Sequence, residues 1–316
     1  MANFWPQALR HRKYRTALGA VFIFCLTAFF FLREPTFGPS EQNRIDVSPE
    51  ACTTAVTANK DILPFAACHI NKKTWAPQSF VYGFGGQNVL YPAADTIPSI
   101  DRPVMRVEYP KNSINPLSGR VGGVGWFTHD DTPNMELYLQ YDVMFEKGFE
   151  WVKGGKLPGI YGGRTECSGG SAALDCFSIR LMWRKEGDGE AYLYVPKSEQ
   201  DDSISTIPPK TEINQKYGIS AGRGAFKFTD GQWDTVGMYV KLNDLGQRNG
   251  VFKIWINKQL VIQFDKVVWR TKDITIDGVQ FETFFGGSRP GFEAAQQSFT
   301  YFRNVFYDQT PPSSLL

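Results

Sequence analysis

From Val104 onward, apolar and polar residues alternate with a period of two. Leu137, Leu139, Tyr141, Val143 and Phe145 are interleaved with Tyr138, Gln140, Asp142 and Met144, the pattern of a strand with one face buried. Val251–Asn257 and Leu260–Phe264 read as a hairpin turning at Lys258-Gln259, and similar short runs recur at Val236–Leu242, Ile276–Phe285 and Ser298–Phe306. Outside the N-terminal region no helical pattern exceeds two turns. Many short strands with Gly- and Pro-rich turns over residues 76–316 predict an all-β fold, an antiparallel β-sandwich of jelly-roll type.

One segment departs from this pattern. Thr16–Leu32 (TALGAVFIFCLTAFFFL) is uncharged and at the lower end of the length that crosses a bilayer as a helix. Arg10, Arg12, Lys13 and Arg15 precede it, and only Arg33 beside Glu34 follows, so the positive-inside bias places the N-terminus in the cytosol. No small-residue cleavage pattern follows the run. The expected organisation is a cytosolic basic tail at 1–15, a transmembrane signal anchor at 16–32, a stem at 33–75 and the β-domain at 76–316. This is a single-pass type II membrane protein with an extracellular or lumenal domain, or a secreted one if the apolar segment is cleaved. Four of the five cysteines then lie in an oxidising compartment, and the simplest pairing is Cys52–Cys68 with Cys167–Cys176.

Composition narrows the chemistry. A net charge of +2 over 316 residues gives no bulk electrostatic case for nucleic acid. Three histidines, His11, His69 and His129, are too few for a His-rich metal centre, and no cofactor motif is present. GGKLPG at 154–159 lacks the spacing of a phosphate-binding loop. His129, beside Asp130 and Asp131, reads as an exposed structural residue.

The informative stretch is 151–196. In Phe177–Arg184 the odd positions Phe177, Ile179, Leu181 and Trp183 are apolar, and the mostly polar even positions present Ser178, Arg180, Met182 and Arg184. Tyr192 and Tyr194 share one face of the returning strand. An odd-length loop, assigned to Gly187-Asp188-Gly189, aligns the two even faces, with Asp188 and Glu190 at its tip. Ser178, Arg180, Tyr192 and Tyr194 then share a surface that Lys156 can approach. Arg and Lys can neutralise a carboxylate, and a nearby cation lowers a tyrosine pKa. Such parts suit β-elimination across a uronic acid, in which the C5 proton turns acidic once the carboxylate is neutralised. The plainer reading is a solvated polar face.

The runs GGKLPGIYGG, CSGG, CFSIRLMWR and YLY, with ISAGRGAFKFTDGQW and DGVQFETFFGGS, resemble the core of polysaccharide lyase family 14. The resemblance spans roughly Val104 to Phe306. It implies a β-jelly roll that cleaves a 4-linked polyuronate, alginate or glucuronan, without cofactor or metal. Carried over, the motifs place Lys156 and Arg180 at carboxylate neutralisation, Tyr192 and Tyr194 at proton transfer, and Ser178 at hydrogen bonding to substrate. Arg223, Gln280 and Glu282 are further candidates to line the groove. The implied partners are an acidic polysaccharide and, through the N-terminal helix, a membrane. A non-catalytic protein that binds acidic polysaccharide on the same fold is the alternative, and a hydrolase would need a carboxylate pair, for which Glu282 has no evident partner in the sequence.

Overall fold

A computed structural model describes residues 83–84, 88–90, 104–130, 132–165, 167–287 and 290–315. The expected anchor at 16–32, the tail, the stem and the Cys52–Cys68 pair lie outside the described residues. Among the described residues no helix is long and apolar enough to cross a membrane.

Fifteen described strands, numbered in chain order, form two antiparallel sheets. The eight-stranded sheet runs β1 (Gly83–Phe84), β4 (Val124–Phe127), β14 (Ile276–Phe285), β6 (Gly155–Gly162), β7 (Phe177–Trp183), β8 (Asp188–Tyr194), β10 (Ile219–Lys227) and β9 (Glu212–Ile213). The seven-stranded sheet runs β13 (Gln259–Val267), β12 (Gly250–Ile256), β11 (Trp233–Lys241), β5 (Glu136–Phe145), β15 (Ser298–Asp308), β3 (Met105–Tyr109) and β2 (Val89–Leu90). Period-two patterning, with no helical periodicity to compete, leaves the described chain no other way to bury its apolar faces.

The odd residues of β7, Phe177, Ile179, Leu181 and Trp183, enter one core with Leu137, Leu139, Tyr141, Val143 and Phe145 of β5. Across the layers, Phe145 meets Trp183 with ring centroids 5.4 Å apart and Phe281 meets Phe302 at 5.1 Å. Within this core the Tyr109 phenol is satisfied by Thr283 and, at 2.8 Å, Thr300, as a buried hydroxyl must be.

Two turns sit one or more residues from their expected places. The β12–β13 turn is Asn257-Lys258, with φ of 51° and 70°. Two left-handed residues give the tight turn whose twist matches that of the flanking strands. The β7–β8 loop is Arg184–Gly187, with Glu186 and Gly187 at φ 62° and 84°, and the strand resumes at Asp188. Five residues, an odd number, separate the last ladder pair Trp183 and Gly189, so Ser178 faces Tyr194 and Arg180 faces Tyr192. The earlier turn removes Glu190 from the tip and places it in β8, opposite Met182.

Candidate active site

The outer face of the eight-stranded sheet carries a continuous row of paired residues: Phe127, Gln280, Gly159, Arg180, Tyr192, Ser220 and Glu212, one from each of seven neighbouring strands. Since directly opposed residues share a face, Gln280, Arg180, Tyr192 and Ser220 project from the same surface. Gly159 lies bare among them. A Cβ there would come within 1.9 Å of the Ile179 carbonyl oxygen, so no side chain can separate Gln280 from Arg180.

Two cations reach this face because the strands carrying them break their own alternation. In β6, Gly159 pairs Arg180 and Lys156 pairs Met182. Three steps on β6 therefore match two on β7, which is a β-bulge at Leu157-Pro158. Without the extra residue, Lys156 would point to the opposite face from Gly159. Proline lacks the N–H that a regular ladder requires, and bulges tolerate it. In β10 the register slips between Ala221 and Phe226. Gly222 and Gly224 take φ of 63° and 84°, conformations open to glycine. Arg223 between them turns back, its Nε donating to Glu190 Oε2 at 2.7 Å and to Ser220 Oγ at 3.2 Å.

The centre of the face is dry and charged. Lys156, 8% exposed, places Nζ 3.5 Å from the Tyr192 ring centroid and donates to Met182 Sδ at 3.0 Å. Burial first, then the charges of Arg180 and Arg184, hold its amine well below the usual lysine range, as desolvation and like charge both disfavour the ammonium. Arg180, buried, donates from one terminal nitrogen to Glu282 Oε2 at 2.5 Å, and Gln280 Nε2 donates to the same oxygen at 2.7 Å. Arg180 Nε and Gln280 Oε1 are buried without a partner. The Tyr192 and Tyr194 rings meet edge to face at 5.5 Å. Burial, with the neighbouring Tyr192, pushes the Tyr194 phenol up to about 12, against a smaller opposing pull from Arg180.

These positions revise three expectations. Cation-lowered phenols are not what the face provides at Tyr194, where desolvation outweighs Arg180. Glu282 has partners, Arg180 and Gln280. Glu190 is on the presented face and fully buried, with Arg184 at Oε1 and Arg223 and Ser220 at Oε2. Burial alone would raise its carboxyl, but Arg184, Arg223 and Ser220 together hold it below the usual carboxylate value.

Ser178 is buried in the same face, its hydroxyl donating to the Cys167 carbonyl at 2.8 Å. Cys167 and Cys176 form a disulfide with Cα atoms 5.7 Å apart. Together with Ala173 and Met182, the two cysteines pack against Tyr192 and Tyr194. His129 is exposed and acts electrostatically on Asp277, beyond the row. The structure thus brings Lys156, Arg180, Tyr192, Tyr194, Ser178, Arg223, Gln280 and Glu282 to one face. Sequence reasoning put Met182 and Arg184 on the presented face without giving them a role, and it left Glu190 at the hairpin tip, although period two counted back from Tyr192 already pointed to Glu190.

The sequence profile described as polysaccharide lyase 14 matches residues 98–305. The chain belongs to the polysaccharide lyase 14 family. An alginate lyase from Aplysia kurodai is 30% identical, with a TM-score of 0.66 over 74% of this chain and 92% of that one. An alginate lyase from a Chlorella virus, 22% identical, shares the fold with a TM-score of 0.57 over 73% of this chain and 100% of its own. Exolysin of Paramecium bursaria Chlorella virus 1 is 26% identical over 196 residues, 55% of this chain but only 29% of Exolysin's length. The residues that the sequence resemblance singled out, Lys156, Ser178, Arg180, Tyr192 and Tyr194, lie on this single face.

Proposed function

We propose that the face cleaves a 4-linked polyuronate of the alginate type by β-elimination. The observation that carries the reading is Lys156, an amine buried against Tyr192 and beside two arginines, a setting that favours its neutral form far more than water does. A neutral amine is a base. It would take the C5 proton of the bound uronate while the C5–H electrons form the C4=C5 bond and the C4–O4 bond breaks. The departing O4 needs a proton, and Tyr194, kept protonated by burial, is the acid this electrostatic setting supports. Arg180 stabilises charge developing on the carboxylate. Its pairing with Glu282 fixes the guanidinium before substrate arrives, and Gln280 braces that pair. This division of labour moves Lys156 from carboxylate neutralisation to proton abstraction.

The hydrolase alternative loses support on the same face. Glu190, Glu212 and Glu282 are carboxylates on the face, and each is tied to arginine, so none is placed to donate a proton as a general acid. Homology to the Aplysia kurodai alginate lyase favours alginate as the first substrate to test. Incubation with polymannuronate, polyguluronate and glucuronan should release products with the ultraviolet absorbance of a new C=C bond, and Lys156→Met should abolish it. Binding of a polyuronate without any product from the folded protein would instead establish the non-catalytic alternative. We propose further that an N-terminal anchor holds the domain outside the cell. Detergent-dependent extraction of the full-length protein would support this, and a mature N-terminus beyond Leu32 would refute it.

A further inference from the structure

We infer that Arg184 and Arg223, held by the buried Glu190, form a second anion subsite that takes the carboxylate of a neighbouring uronate along the chain. This rests on the polyuronate reading above and concerns a sugar other than the one undergoing elimination.

The site is built from the inside out. Glu190 is 0% exposed and has no solvent to satisfy it, so its two oxygens are shared among three donors: Arg184 at Oε1, and Arg223 at 2.7 Å and Ser220 at 2.5 Å at Oε2. The arginines reach the surface, with side chains 15% and 28% exposed. One buried carboxylate set against two guanidinium groups leaves an excess positive charge at that surface. Glu212 offsets it only in part. It contacts Arg223 at 3.1 Å but is 42% exposed and also pairs with Lys210. Arg184 Nε is left without a partner, and its guanidinium lies 5.8 Å from the Tyr192 ring centroid. Buried charge is expensive unless it is paired, so a protein that needed only a stable edge would gain little from two arginines here.

Position says which part of the ligand the pair would meet. Ser220 lies two strands from Arg180 in the row, roughly 10 Å across the sheet at ordinary strand spacing. That is farther than one pyranose ring spans, so Arg223 and Arg180 address different sugars. The aromatic face of Tyr192 lies between them. A polymer with one carboxylate per residue matches repeated cations separated by an aromatic platform, and a neutral polysaccharide does not. The backbone irregularity supports this purpose. The bulge of β10 is held at the edge by Arg223 N donating to Lys210 O at 2.7 Å and Gly222 N to Thr211 Oγ1 at 3.2 Å, which fixes the segment that carries Arg223.

The test compares wild type with Arg184→Ala, Arg223→Ala and Arg223→Lys on polymannuronate and its short oligomers. Arg223→Ala, which loses one charge-assisted contact, should raise KM by about tenfold on the polymer with kcat changed far less, whereas Arg184→Ala also removes a charge that acts on Lys156 and should change kcat as well. The effect should shrink on the shortest oligomers, and the salt dependence of KM should be shallower than in wild type. Arg223→Lys, which keeps the charge but loses the planar fork, should recover part of the loss. A merely structural role would lower thermal stability and leave KM and its salt dependence unchanged, and that result overturns the subsite. Calorimetric titration of polymannuronate into Lys156→Met, with and without the Arg223→Ala change, separates the two readings. Arginine-dependent binding without turnover in wild type sinks the lyase assignment and keeps the subsite. Cleavage by wild type with binding indifferent to the Arg223→Ala change does the reverse.

Discussion

The edge of the seven-stranded sheet and the centre of the eight-stranded sheet bury their residues in different ways. At the edge of the seven-stranded sheet one face goes in and one out: β13 carries exposed Gln259, Leu260, Gln263, Asp265 and Lys266 around buried Ile262, Phe264 and Val267. In the centre of the eight-stranded sheet, β6 and β7 are buried along their whole length, and the outer face holds Lys156, Arg180, Glu190 and Glu282 at 8%, 2%, 0% and 7% exposure. Charges that could be solvated at little cost are instead desolvated and paired, which is expensive. Such cost persists where a site needs preorganised charge. The difference therefore separates a face shaped by packing from one shaped by chemistry.

Four substitutions break or sharpen that contrast. Lys156→Met should have the largest effect, cutting turnover by about 10²–10⁴-fold. Its stability effect should run in the opposite direction. The folded amine is depressed below its unfolded value, so the unfolded chain binds the extra proton, wild-type stability rises with pH through that window, and the methionine variant loses this dependence in denaturant titrations. Glu282→Ala leaves Arg180 buried without its anion and should cost about 3–5 kcal/mol together with most of the activity. Leu193→Ala, on the core side of the Tyr192–Tyr194 strand and 0% exposed, should cost about 2–5 kcal/mol while the surviving folded fraction keeps its KM. Lys185→Ala, an exposed end of a surface ion pair, should shift unfolding by no more than about 0.5 kcal/mol.

The sandwich was legible because its signal is local. Alternation marked Ile276–Phe285 to the residue, and β7 and β8 on the correct shared face. What was not legible follows from breaks in the same period. Lys156 could be named from its motif, but its orientation depends on the extra residue at Leu157-Pro158, and Arg223 depends on two left-handed glycines. A period-two reading sends both side chains the wrong way. Glu190 was displaced by a turn placed too late, though its spacing from Tyr192 and Tyr194 had already put it on the site face. The burial that sets the protonation of Lys156 and Tyr194 arises from residues distant in the chain. Cys176, Met182 and Tyr192 meet only in the folded sheet, so the sequence suggested cation-assisted phenols where the structure holds a desolvated amine.

The pH dependence of kcat/KM for unsaturated product formation from polymannuronate tests the central claim most directly, because it reports the groups of the free enzyme. If neutral Lys156 is the base and protonated Tyr194 the acid, the profile rises through a value below the ordinary lysine range and falls only toward about 12, where Tyr194 ionises. Lys156→Met then removes the activity that defines the rising limb. A profile in which Lys156→Met retains turnover with the same rising limb, or reducing ends released with no new C=C absorbance, would contradict the account.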